Sequence, residues 1–100
     1  MIFTRASSRA ANGTSLQGSM NVSYSRLVEV FGKPHSKGDG YKVDAEWCLR
    51  FDDGVIATIY NYKNGPNYND GAGSVEDIRV WHVGGKSSRA YTNVIEILRV

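Results

Sequence analysis

Cysteine is scarce in this sequence: Cys48 is the single one among 100 residues, which excludes an intrachain disulfide. Cysteine usage of this kind is typical of a reducing compartment. The two histidines, His35 and His82, lie far apart in the sequence and have no cysteine cluster near them, so no zinc-ligand spacing is present. We therefore predict neither a metal site nor a cofactor.

Long apolar runs are also missing, since none approaches the ~20 residues that a membrane-spanning helix needs. Residues 1–14 are small and polar, without the apolar segment of a secretory signal. We predict a disordered N-terminal extension over residues 1–14 and a single α+β ligand-binding domain over residues 15–100. A domain of this size has little stability to spare, which favours a homo-oligomer.

Charge of one sign is present only in mild excess: the net charge is +2 and the sequence pI is about 8.8. A protein dedicated to duplex nucleic acid usually carries a denser basic stripe. The charge balance therefore predicts no duplex partner and suits a small anionic ligand better.

Residues 22–31 carry the pattern of an amphipathic helix. Ser23 is a good N-cap because its hydroxyl can accept a hydrogen bond from a free amide of the first turn. Gly32 and Pro34 supply the end signal, since glycine accepts left-handed dihedrals and proline cannot continue the hydrogen-bond ladder.

The clearest predicted strand is 42–51, where apolar and polar residues alternate over ten positions. Asp53 and Gly54 then form a tight hairpin turn, because that turn needs positive φ angles. Further strands are predicted at residues 14–20, 55–62 and 77–83.

A second helix is predicted from Ser87 or Ser88 to about Arg99, with one apolar stripe formed by Tyr91, Val94, Ile95 and Leu98. The predicted fold class is α+β: a small antiparallel sheet of three to four strands, with an N-terminal helix and a C-terminal helix packed on it.

A candidate anion site lies where the last strand meets this helix. Gly84 and Gly85 let a ligand approach the backbone, and Lys86, Ser87 and Arg89 add donors and positive charge near unpaired helix amides. The glycine that a Walker A loop needs five residues before Gly85 is absent, so ATP hydrolysis has no motif support. An equally open alternative is that the glycines only turn the chain and Ser87 only caps the helix.

A candidate base site lies at Tyr60, Asn61, Tyr62 and Lys63, because tyrosine and asparagine together suit a nucleobase. The alternative is a strand end followed by an Asn/Gly loop. Tyr60 and Tyr62 fall on the same strand face, and large rings on such a face often mark an interface or a pocket.

No catalytic constellation follows from the spacing of the polar residues. His82 alternates with Trp81, so the two side chains point to opposite faces of the sheet. Cys48 lies on the polar face of its strand beside Glu46 and Arg50. We therefore predict that the protein is not an enzyme.

Four segments together resemble a widespread group of small phage proteins, the type-one anti-Thoeris sponge family. They are residues 23–34 (SYSRLVEVFGKP), 43–47 (VDAEW), 57–63 (ATIYNYK) and 81–85 (WHVGG), and the last two are the most specific. The resemblance covers roughly residues 15–99; residues 1–14 and the Asn-rich loop 63–74 depart from it.

The resemblance implies a phage protein acting in the cytoplasm of the infected bacterium. It would sequester, without cleavage, a cyclic nucleotide immune messenger of the glycocyclic ADP-ribose type, with cyclic oligonucleotides as a further ligand class. It further implies a homo-oligomer built from dimers, with ligand held where subunits meet. By matching position, Arg89 would contact phosphate and Tyr60 or Tyr62 the base.

One competing function is a phage inhibitor that binds a host defence protein directly, in the manner of an anti-CRISPR, through the exposed aromatic face. A small enzyme or a nucleic-acid binder ranks last, because the sequence offers neither a catalytic constellation nor a basic stripe.

Overall fold

The computed structural model of the chain describes residues 2–38, 40–69 and 73–99. The elements, in chain order, are β1 (Phe3–Arg5), β2 (Ser15–Asn21), α1 (Tyr24–Phe31), β3 (Glu46–Phe51), β4 (Ile56–Tyr60), β5 (Val80–Gly85) and α2 (Arg89–Leu98), with short 3-10 turns at Ser8–Ala11 and Val75–Asp77. All strand pairs are antiparallel, in the order β1-β3-β4-β5-β2. The predicted α+β class is confirmed, but the sheet has five strands rather than three to four.

Within the predicted disordered extension, residues 3–5 instead form edge strand β1, in which Phe3 is paired with Phe51 of β3. The ring of Phe3 packs edge-on against Phe31, with centroids 5.1 Å apart, and Arg5 donates to the carbonyl oxygen of Phe31 at 3.2 Å. The strand is missed by sequence reasoning because three residues show no periodicity, and their partners are distant in the sequence.

Because β1 and β2 lie at opposite edges, residues 6–14 cross over one face of the sheet, which we call the crossed face. The thiol of Cys48 donates to the carbonyl oxygen of Ser7 at 3.5 Å, and the amide of Ala6 donates to the carbonyl oxygen of Cys48 at 2.9 Å. The crossing segment buries Cys48 and Thr58, which are 4% and 2% exposed. Burial and, secondarily, Glu46 raise the pKa of the Cys48 thiol.

The core lies on the opposite face, which we call the helix face because both helices pack there. Its fully buried centre consists of Trp47, Leu49, Ala57, Ile59, Trp81 and Val83, to which the helices add Leu27, Phe31, Ala90, Val94 and Leu98. The Trp47 and Trp81 rings meet edge-on at 5.4 Å, and the Trp47 indole donates to the carbonyl oxygen of Gly32 at 2.8 Å. Each of the large side chains contributes about 1.5–3 kcal/mol through burial of its apolar surface.

The predicted N-cap and end of the first helix are confirmed, although the helix begins at Tyr24 rather than at residue 22. The Ser23 hydroxyl accepts from the amide of Arg26 at 3.1 Å, and Gly32 has a φ of 85° directly after the last helical residue. The hydroxyl satisfies one amide that the first turn leaves unpaired, and glycine tolerates the left-handed φ without steric cost.

The third and last strands differ from their predicted bounds. β3 begins at Glu46 rather than at residue 42, because the amides of Asp44 and Ala45 donate to the side chain of Asn61 and not to a neighbouring strand. β5 begins at Val80 and runs through both glycines to Gly85, whereas the sequence predicted a strand over residues 77–83.

Candidate functional site

Three zones follow one another along the crossed face. At one end, which we call the open surface, Tyr62 is exposed and Tyr60 and His82 are partly buried. The middle zone is covered by the crossing segment over Cys48 and Thr58. The far end holds a small cavity, which we call the basic cleft.

The basic cleft has a volume of about 310 Å³ and is lined by Ala10, Arg50, Gly54, Val55, Ile56, Lys86 and Ser87. Two cations and one hydroxyl converge there, with no carboxylate among the described lining residues. Across the described ranges, neither Arg50 nor Lys86 takes part in an ion pair. Two cations free to bind in a concave setting can accept a phosphate or carboxylate by charge-assisted hydrogen bonds.

The fold brings the predicted residues Lys86 and Ser87 together with Arg50, which sequence reasoning did not assign to a site. Arg50 points away from the core because it alternates with the buried Leu49 and Phe51 in β3. Its position beside Lys86 depends on the register of three strands, in which Arg50 pairs with Ile56 and Ala57 pairs with Gly85. The alternation of apolar and polar residues in β3 predicts that Arg50 lies on the face opposite the core. It does not predict that Lys86 lies beside Arg50.

Arg89, the predicted phosphate contact, forms an ion pair with Asp53 instead. Its Nε donates to Oδ2 of Asp53 at 3.0 Å, and the amide of the buried Asn93 donates to the same oxygen at 3.0 Å. The Asn93 amide, then the Val55 amide and Arg89, hold the pKa of the Asp53 carboxyl below its usual range. Arg89 does not line the basic cleft.

Gly84 and Gly85 are strand residues that allow close packing. A Cβ on Gly84 would come within 2.5 Å of the Thr58 hydroxyl, and one on Gly85 would overlap the Cβ of Ala90. α2 begins four residues after Gly85, at Arg89, and its N-cap Ser88 makes no side-chain capping bond. Neither the predicted anion loop nor the predicted turn is therefore formed at the glycines.

Asn61 was predicted to contact a base, yet its side chain is fully buried and organises the loop before β3. Its Oδ1 accepts from the amides of Asp44 at 2.7 Å and Ala45 at 3.1 Å. Its Nδ2 donates to Oδ1 of Asp44 at 2.8 Å and to Oδ1 of Asn64 at 3.2 Å. With its polar atoms used in this way, Asn61 is not available to a ligand.

The open surface does gather the predicted tyrosines. The Tyr60 and Tyr62 ring centroids lie 5.7 Å and 6.3 Å from that of His82, and Oγ of Ser19 lies 2.8 Å from Nδ1 of His82. Tyr62 is 43% exposed. Burial, then Glu46 and Tyr62, raise the pKa of Tyr60, so its phenol stays neutral at physiological pH.

Lys63 continues this surface into the following loop. Its Nζ lies 5.3 Å from the Tyr62 ring centroid and 5.7 Å from that of Tyr68, whose ring lies 5.2 Å from Tyr41. Lys63 has a φ of 61°, one of two positive φ values among the described non-glycine residues. That conformation costs a side-chain-bearing residue roughly 1–2 kcal/mol.

A larger cavity, of about 960 Å³, lies outside the predicted site between α1 and two loops. It is lined by Tyr24, Val28, Lys33, Pro34, His35, Ser36, Lys37, Asp44, Ala45, Pro66, Asn67, Gly73, Ser74, Val75 and Glu76. The Asp44 carboxylate there accepts from Asn61 and from the amide of Asn67. Burial, then Glu76, raise the pKa of Tyr24. The lining carries both positively and negatively charged side chains, so this cavity favours an anionic ligand less than the basic cleft does.

Residues 2–38, 40–69 and 73–99 hold neither a cluster of metal ligands nor a membrane-spanning helix. No group of three or more His, Cys, Asp or Glu side chains is arranged to hold a metal ion there. No helix in those ranges has both the length and the apolar character needed to cross a bilayer.

Comparison with protein-family models, with curated proteins and with solved structures found no match to this chain.

Proposed function

We propose that this protein binds a phosphate-bearing nucleotide and holds it without chemical conversion. The basic cleft carries the proposal, because Arg50 and Lys86 converge with the Ser87 hydroxyl in a concave space without a lining carboxylate. Phosphate oxygens accept well from a guanidinium, an ammonium and a hydroxyl together.

The open surface on the same face supports the nucleotide character of the ligand. Tyr60 and Tyr62 offer rings on which a purine can stack. Tyr60 lies four positions after Ile56 of the cleft in β4, which corresponds to about 13 Å of strand. The covered middle zone lies between them, so a ligand that reaches both zones in one protomer must pass over residues 6–14 and be at least of dinucleotide size.

The family resemblance supports a narrower form of the proposal. In that form the ligand is a cyclic nucleotide immune messenger of the glycocyclic ADP-ribose type or a cyclic oligonucleotide, sequestered by a phage protein in the cytoplasm of the infected host. The protein acts as a homo-oligomer and not as an enzyme. Arg50 takes the phosphate-binding role that the sequence assigned to Arg89.

A thermal-shift titration with cyclic ADP-ribose isomers and cyclic oligonucleotides tests the proposal. A ligand that binds only the folded protein raises the melting temperature in proportion to ln(1 + [L]/Kd). Mass spectrometry of ligand released by denaturation should recover it unchanged; a cleaved product would contradict sequestration.

Paired substitutions locate the site. Arg50→Gln combined with Lys86→Gln should abolish the shift, since each lost charge-assisted bond costs about 1.5–3 kcal/mol. Arg79→Gln, at an exposed position that does not line the basic cleft, is the matched control. An unchanged shift in the double variant would place the ligand elsewhere.

A second candidate function, direct inhibition of a host defence protein, is favoured by exposed apolar residues on the crossed face. Leu16 is 57% exposed and Val80 is 44% exposed, and Tyr62 on the same face is 43% exposed. This candidate predicts that Leu16→Ser with Val80→Ser prevents co-purification of a host protein while nucleotide shifts persist. Retention of the host protein by that variant would count against it.

A further inference from the structure

Beyond the basic cleft, five aromatic rings and one lysine form a continuous line that we call the aromatic strip. In spatial order it consists of Tyr60, His82, Tyr62, Lys63, Tyr68 and Tyr41. Successive members lie 5.2 to 6.3 Å apart, measured between ring centroids or from Lys63 Nζ to a centroid. The strip begins on the open surface and continues over the loop that follows β4.

The tyrosines of the strip that lie in loops are exposed to solvent. Tyr41, Tyr62 and Tyr68 are 56%, 43% and 41% exposed. Exposed tyrosines in such number are unusual, because large rings generally bury most of their surface. Their clustering indicates a surface on which planar ligand groups can stack.

Positive charge lies between the rings. The Lys63 ammonium stands between Tyr62 and Tyr68, and Nζ of Lys42 lies 6.0 Å from the Tyr41 ring. The backbone at Lys63 is left-handed, with a φ of 61°, which Gly or Asn would adopt more easily. An anionic group lying between two stacked bases would meet Lys63.

From this arrangement we propose that the aromatic strip binds single-stranded nucleic acid, with bases stacked on the tyrosines and the intervening phosphate on Lys63. Proteins that bind single strands without sequence preference combine stacking rings with positive charge in this way. A duplex is excluded because its bases are already stacked on one another. A mononucleotide would use only one of the ring positions, which makes affinity a function of chain length.

Fluorescence anisotropy with labelled oligouridylates of one, two, four and eight nucleotides, and a blunt duplex, tests the proposal. Affinity should rise at least tenfold from one to four nucleotides, fall with added salt, and be absent for the duplex. Equal affinity for all lengths would overturn the proposal, as would preference for the duplex.

Variants within the strip provide the residue-level test. Tyr68→Ala should weaken binding of the four-nucleotide strand by about 5- to 160-fold through loss of one stacked base, whereas Tyr68→Phe keeps the ring and should bind normally. Lys63→Gln should reduce the salt dependence. If Tyr68→Ala binds like the unmodified protein, the proposal is wrong.

The same assay separates the strip from the basic cleft. The Arg50→Gln, Lys86→Gln variant should keep its oligonucleotide affinity while losing the thermal shift with nucleotide messengers. If that variant loses oligonucleotide affinity while Tyr68→Ala keeps it, the single-strand proposal is wrong and the proposed function still stands. If Tyr68→Ala loses oligonucleotide affinity while the cleft variant keeps it, the aromatic strip is supported whether or not the cleft binds a nucleotide messenger.

Discussion

Nε of Arg89 donates to Oδ2 of Asp53 at 3.0 Å and thereby ties the first turn of α2 to the β3–β4 hairpin turn. Asp53 also accepts from the buried amide of Asn93, and its other oxygen accepts from the amide of Val55. The carboxylate is thus a shared acceptor for one helix and one turn.

Asp53→Ala should therefore destabilise the protein more than Arg89→Ala does. Arg89 remains largely exposed, so its removal should cost only about 0–1 kcal/mol. Asp53→Ala leaves the buried Asn93 amide without this acceptor. Urea unfolding of both variants measures the difference; equal midpoints would contradict the shared-acceptor role.

Low pH should weaken the link that the Asp53 carboxylate makes between α2 and the β3–β4 turn. The pKa of Asp53 is held below its ordinary value of 3.8, so the stabilisation is present above that value and is lost as pH falls through the lower folded-state pKa. Unfolding at a series of pH values below 5 should show a shallower loss of stability in Asp53→Asn than in the unmodified protein.

Asn61→Ala should be strongly destabilising, by about 2–5 kcal/mol. The substitution leaves the amides of Asp44 and Ala45 without their acceptor, and each buried unsatisfied group costs about 1–3 kcal/mol. The control is Asn67→Ala, at an exposed position in the same region. A small effect of Asn61→Ala would mean that water replaces the side chain, and would reopen Asn61 to a role in binding.

Gly85→Ala should destabilise the protein by about 1–3 kcal/mol, because the added methyl overlaps the Cβ of Ala90. Combining it with Ala90→Gly removes the overlap at the expense of about 1 kcal/mol of helix propensity. The two substitutions should therefore be less destabilising together than the sum of their separate effects. Strict additivity in a double-mutant cycle would contradict the contact.

Lys63→Gly should raise the free energy of unfolding by up to about 1 kcal/mol, since glycine adopts a φ of 61° without steric penalty. The same variant should lose single-strand affinity, so stability and binding should change in opposite directions. Lys63→Val is the counterpart, because a β-branched residue at this φ should lower stability. Stabilisation by valine would disprove the argument from backbone conformation.

His35 should make stability depend on pH near neutrality. Burial, then the nearby Arg5, lower its pKa below the ordinary 6.5, and its Nδ1 accepts from the amide of Cys48 at 3.3 Å. The stabilisation is therefore fully present above about pH 6.5 and is lost as pH falls through the lower folded-state pKa. His35→Asn keeps an acceptor without titrating, so its unfolding midpoint should change less between pH 7.5 and 5.5.

Local patterns in the sequence were enough for the elements whose physical causes are local. The hydroxyl of Ser23 caps α1, the φ of 85° at Gly32 follows its last residue, and the alternation in β3 sets which side chains face the core. Trp81 and His82 likewise point to opposite faces because successive strand residues must do so. Each of these features depends on neighbours within a few residues.

Tertiary structure alone decided the pairings across the chain. Strand β1 forms because Phe3 meets Phe31 and Phe51, and Arg50 reaches the basic cleft only through the register of β3, β4 and β5. The carboxylate of Asp53 takes Arg89 away from the role that its position beside the glycines suggested. Side chains interact with the groups that are close to them in space. A sequence pattern predicts which groups are close only within a single helix, strand or turn.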